Sequence, residues 1–143
     1  MTEAVGAEPL TKDMKIDATP ETVYAFFTEP ELVTRWLARE VTMDPTPGGI
    51  FRQVHRDKDG VDHVMDGEFL VLEPPSRVVF AWAFEGMPEG DEISSVEVTL
   101  VPDGDGTLLR LVHHNLPESL REDHVKGWER LLALLAVEAP RGR

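Results

Sequence analysis

Between residues 50 and 114 one strand-like run follows another, with no helical pattern between them. "GGIFRQVHR" and "VDHVMDGEFLVLE" flank Asp57-Lys58-Asp59-Gly60, and "EPPSR" leads into "VVFAWAF". The loop "EGMPEGDE" precedes "ISSVEVTLV", and "PDGDGT" separates that run from "LLRLVHH". Each run is rich in β-branched and aromatic residues, and each break carries Gly, Pro or Asp, which terminate strands and form turns. A further short strand is predicted at Glu40 to Met43. Strands do not alternate with helices here, so the sheet must be antiparallel.

What surrounds this meander narrows the fold further. Leu10, Met14, Ile16 and Ala18 share a parity, which predicts a first strand. "TPETVYAFF" and "TEPELVTRWL" then predict two short helices, with Thr19 and Thr28 or Glu29 as caps and Pro20 and Pro30 in the first turns. From about Glu118 the apolar residues Val125, Trp128, Leu131, Leu132 and Leu135 recur at helical spacing. Ser119 and Glu122 fit a capping box at the start of this helix, and Ala139-Pro140 ends it. The economical packing is an α+β helix-grip: a curved antiparallel sheet around a long C-terminal helix, with two short helices after the first strand. Residues 1–9 read as a flexible N-terminus, 10–138 as one domain and 139–143 as a tail. Gly127 interrupts the long helix beside Trp128, at a cost of about 1 kcal/mol relative to alanine. That placement predicts a close approach of a backbone or an aromatic ring.

Composition removes several functions. The formal net charge of −13 repels nucleic-acid phosphates and anionic lipid, and the basic residues form no stripe. No apolar run approaches the roughly 18 residues of a membrane span, and the polar, acidic start is unlike a signal peptide. With no cysteine there are no disulfides or thiolate metal sites, which suits a cytoplasmic protein. The five histidines show no metal-ligand spacing. If Asp59-Gly60 is a two-residue turn, His55 pairs with Val64, and His55 and His63 face opposite sides of the sheet. "PDGDGT" lacks the later residues of a calcium loop, and "TPGGIF" is too short and misplaced for a phosphate loop; both read as turns or strand starts. Asp66 and Glu68, flanking Gly67, read as solvated rather than as an acid–base pair. No metal, cofactor or catalytic residue is assigned.

Several strings resemble one known family. They are "IDATPETVYAFFTEPELVTRWL", "PGG" with a strand after it, Asp59-Gly60 followed by Gly67, the "PPSR" turn at Pro74, Pro75 and Arg77, "FAW", Gly106-Thr107 before "LRLVHHNLP", and Gly127-Trp128 with leucines following. In this order they resemble the heat-shock-protein ATPase activator C-terminal-like family of the START/polyketide-cyclase (SRPBCC) superfamily, from about residue 10 to 138. Two positions depart from its pattern: Tyr24, where the family often has Trp, and Ala81, where it has Thr. The resemblance implies the helix-grip fold. The family's eukaryotic co-chaperone carries an additional N-terminal domain for which this chain has no room, so the family name is not taken as an activity.

A sheet curved around a helix commonly leaves a cavity at one end. His113 shares parity with Leu109 and Leu111 and should face inward, as a buried hydrogen-bonded residue or as a polar anchor in that cavity. Most aromatic residues, including Phe80, Phe84 and Trp36, should be core. The ligand-binding set is Phe51, Gln53, Trp82, Leu111, His113 and Trp128. The favoured function is non-covalent binding of a small apolar or amphipathic molecule, with apolar walls for affinity and His113 or Gln53 orienting a polar end. An interaction module resembling a co-chaperone is the alternative. A cyclase- or hydrolase-like enzyme is less favoured, because only His113 and His55 offer titratable groups. "FLVL" at Phe69 to Leu72 is apolar on both parities, which raises a possible homodimer.

Overall fold

A computed structural model describes residues 8–83 and 93–142. The elements run β1 (Leu10–Ile16), α1 (Pro20–Thr28), α2 (Pro30–Val33), β2 (Glu40–Met43), β3 (Phe51–Arg56), β4 (Asp62–Met65), β5 (Phe69–Glu73), β6 (Arg77–Ala81), β7 (Ser95–Asp103), β8 (Gly106–His114) and α3 (Glu118–Glu138). The five-stranded order is β1-β8-β7-β6-β5, and β2-β3-β4 form a second, three-stranded sheet. Every pairing is antiparallel. The sheets are joined where Ile50 bridges Glu68 and Asp66 bridges Ala83. Phe84 and the predicted loop after it lie outside the described residues, as do residues 1–7.

This is the predicted α+β helix-grip arrangement. The sheet grips α3, whose Trp128, Leu132 and Leu135 are buried, while Lys12 of β1 reaches Glu129 on the helix surface at 2.6 Å. Pro20 opens α1, and the Thr19 hydroxyl accepts from the Thr22 N–H. Phe27 and Trp36 meet edge to face at 5.0 Å, and the Trp36 indole donates to the Phe26 carbonyl at 2.8 Å. The two short helices are thereby fixed to each other and cover part of the core.

Three expectations need correction. The capping box is not formed: Pro117 occupies the cap position of α3 and no side chain caps it. The helix starts two residues earlier than a Ser119 cap requires, so Ser119 already lies inside its first turn.

The β3–β4 turn is longer by one residue. Asp57 N–H donates to the Val61 carbonyl at 2.9 Å, leaving Lys58–Gly60 as a three-residue loop with Gly60 at φ +80°. Asp57 Oδ1 accepts from the Asp59 and Val61 N–H groups and holds the loop shut. The register therefore pairs His55 with His63, so both lie on one face.

At Gly127 the expected close approach is absent among the described residues: a Cβ there meets nothing within 4 Å. Gly67 is the glycine the backbone requires. A Cβ there would lie 2.6 Å from the Ala81 carbonyl oxygen and 2.7 Å from that of Phe51. Gly67 sits at the junction of the two sheets, where it accepts from the Phe51 N–H.

Parts of both termini are fastened to the domain. Arg121 donates to the Glu8 and Pro9 carbonyls. Ala139 is buried, and Arg35 binds Glu138 and the Gly142 carbonyl.

Candidate functional site

One end of the grip is open among the described residues. There α3, the β3–β4 hairpin and the residue after β6 converge on a cavity of about 160 Å³. Trp82, Trp128 and Leu131 supply its apolar walls, with His55 and His124 beside them. Gly127 also lines it, and the missing side chain leaves that part of the helix surface open. An outer cleft of about 670 Å³ shares His55, Asp123, His124 and Arg130 with the cavity and adds Asp57, Asp62 and His63 from the hairpin.

The two tryptophans are oriented by histidines. The rings of Trp82 and Trp128 lie 5.0 Å apart. Trp128 Nε1 donates to His113 Nδ1 at 3.1 Å, and Trp82 Nε1 donates to His124 Nε2 at 3.2 Å. An indole can only donate, so each accepting nitrogen must carry a lone pair. His113 then bears its proton on Nε2 and donates to Ser94 Oγ at 2.5 Å. His124 bears its proton on Nδ1 and donates to the Leu120 carbonyl at 3.0 Å. His55 Nε2 donates to Gln53 Oε1 at 2.8 Å.

All three histidines are held neutral. Burial lowers His113 to about 3, with repulsion from His124 and His114 acting in the same direction. His55 falls to about 4 through burial first and the Arg130 charge second. Burial also pushes His124 below its ordinary value. The histidines therefore add polarity but no charge to the recess, whose charged lining residues are Asp123 and Arg130. His114, on the other face of β8, instead bonds Glu97 at 3.1 Å.

The six sequence-predicted residues separate by depth. Trp82 and Trp128 line the cavity. Gln53 and His113 are fully buried behind it and touch its lining through His55 and Trp128. Phe51 stacks on Phe69 at 4.5 Å, and Phe51 and Leu111 are core residues that line neither cavity nor cleft. The Gln53 amide nitrogen is buried without a hydrogen-bond partner among the described residues.

His124, Asp123 and Arg130 were not anticipated. A signal for His124 existed: it stands four residues before Trp128, on the line that continues through Leu131 and Leu135. Among the described residues no group of histidine, aspartate and glutamate could hold a metal ion.

The pattern of the family described as "Activator of Hsp90 ATPase homolog 1-like protein" matches residues 17–139. The chain belongs to this family. Among its relatives is the human "Activator of 90 kDa heat shock protein ATPase homolog 1", 30% identical over 112 residues. That match covers 78% of this chain but 31% of the human protein, so the chain spans only a minor part of that relative's length. The crystal structure of CalU16 from Micromonospora echinospora is 30% identical, with a TM-score of 0.76 over 92% of this chain and 75% of that one. Protein CV1439 from Chromobacterium violaceum is 25% identical, with a TM-score of 0.81 over 92% of this chain and 96% of that one. Family and fold are thus of the START/SRPBCC kind, as the motif order implied.

Proposed function

We propose that the chain binds a small apolar or amphipathic molecule at the open end of its helix grip. The supporting observation is the cavity walled by Trp82, Trp128 and Leu131, with its His55 and His124 kept neutral. At about 160 Å³ it is small for a ligand site, which suits one ring or a short apolar group, with the remainder of the molecule in the outer cleft. Affinity comes from burying that group against the two indoles. Orientation comes from the polar rim. Of the six residues first singled out, Trp82 and Trp128 make the contact, Gln53 and His113 position the groups that do, and Phe51 and Leu111 support the walls.

Native mass spectrometry of freshly purified protein tests this reading. A reproducible additional mass, lost on denaturation, is expected. A clean apo mass together with no binding of small aromatic probes contradicts it.

The human relative's name favours a second reading, in which the domain is a chaperone-interaction module. That reading expects a complex with a heat-shock ATPase whose formation is indifferent to changes in the cavity.

A homodimer through β5 is a further proposal. β5 is an edge strand, and its Leu70 is exposed. Analytical ultracentrifugation tests it. No helix among the described residues is long and apolar enough to cross a membrane, and the cysteine-free chain suits the reducing cytoplasm in which we place it.

A further inference from the structure

Arg130 stands where three cavities meet. It lines the inner cavity, the outer cleft and a third cavity of about 200 Å³, which shares His55, Arg130 and Leu131 with the inner one. The third cavity gathers Arg35, Arg39, Arg56 and Arg130, and no carboxylate is among its described lining residues. In a chain of net charge −13, four guanidinium groups at one cavity are a local concentration of positive side chains.

Three of the four guanidinium groups already have anions. Arg35 pairs with Glu138 at 2.9 Å, Arg39 with Glu40 at 2.5 Å and Arg56 with Asp62 at 2.9 Å. Arg130 has no hydrogen-bond or ion-pair partner among the described residues. Its neighbour Glu129 is engaged by Lys12. A guanidinium offers a planar fork of donors that matches a carboxylate or phosphate. The nearby histidines are neutral and do not compete for an anion.

We propose that the ligand is an amphipathic anion, in its simplest form an aryl carboxylate. Its ring sits against Trp82 and Trp128, and its acid group docks on Arg130 beside the arginine-lined cavity. This rests on the ligand-binding reading above and adds a sign and a direction to it. Asp123 lines the same inner cavity seven residues earlier on α3, about 10 Å along the helix axis. Its carboxylate repels the acid group toward Arg130 and so sets the orientation.

Isothermal titration calorimetry of the full chain with 2-naphthoate and its neutral counterpart 2-naphthylmethanol tests the proposal. The acid should bind about tenfold more tightly at low salt, and added salt should shrink the difference. Arg130→Gln should abolish the preference, so that acid and alcohol bind the variant with equal affinity. Lys126→Gln makes the same charge change at a side chain that is 73% exposed on the same helix, and it should retain the preference. Equal or tighter binding of the alcohol by the unmodified protein overturns the anion proposal while the ligand-binding reading stands. So does an equal loss of preference in both variants. Failure of both probes to bind overturns both.

Discussion

Trp82 and Trp128 each direct a lone indole donor at a histidine, and this makes the site's chemistry a matter of single protons. A proton on His113 Nδ1 or His124 Nε2 would place two donors against each other. Both histidines, and His55, have pKa values depressed below the 6.5 of a free imidazole. The unfolded chain takes up protons on them below pH 6.5, whereas folded His55 resists to about 4 and His113 to about 3. Their contribution to stability is therefore complete above pH 6.5 and is lost as pH falls toward the folded values. In an NMR titration from about pH 8 to pH 5, the His55 and His113 ring resonances should stay still. A midpoint near 6.5 for either would contradict the buried neutral arrangement.

Gly127 is the other decisive single residue. Its neighbourhood is open, so Gly127→Ala has no steric cost and gains helix propensity. A stabilisation of up to about 1 kcal/mol is expected in urea denaturation. A loss would reveal a contact that the open space beside Gly127 does not contain.

Among the elements, the β3–β4 hairpin shows where sequence reading stops. Asp-Gly announces a turn, but the same dipeptide serves two- and three-residue loops. The choice was made by Asp57, whose carboxylate closes the longer loop, and one residue of register decided that His55 and His63 share a face. The start of α3 was misread for a related reason: Ser119 and Glu122 have capping-box spacing, yet Pro117 begins the helix first. Strand order and helix identity were more legible, because alternation and helical periodicity extend over many residues. The junction of the two sheets depends on Gly67, whose Cβ would meet backbone on two sides. Gly67→Ala should lower stability by about 1–3 kcal/mol in the same denaturation assay. A neutral result would mean that the sheets part there without cost.

At the scale of the whole molecule, the fold and its pocketed end were legible in the chain, whereas the lining was legible only in part. Trp82 and Trp128 could be placed because one belongs to the sheet and the other to the gripped helix. Phe51 and Leu111 have the right parity but lie too deep, a distinction that depends on how far the sheet curves rather than on any local pattern. Arg130 was hidden for another reason. Its significance comes from arginines on the turn after α2 and on β3 that meet only in three dimensions.

The chain's three tryptophans provide a direct test of the ligand-binding site. Two line the cavity, while Trp36 is bonded to Phe26 beneath the short helices. In a proton–nitrogen correlation spectrum, titration with 2-naphthylmethanol should move the Trp82 and Trp128 indole N–H signals together and leave that of Trp36 in place. If all three signals stay fixed at saturating probe, or if only Trp36 responds, the open end of the grip is not a ligand site.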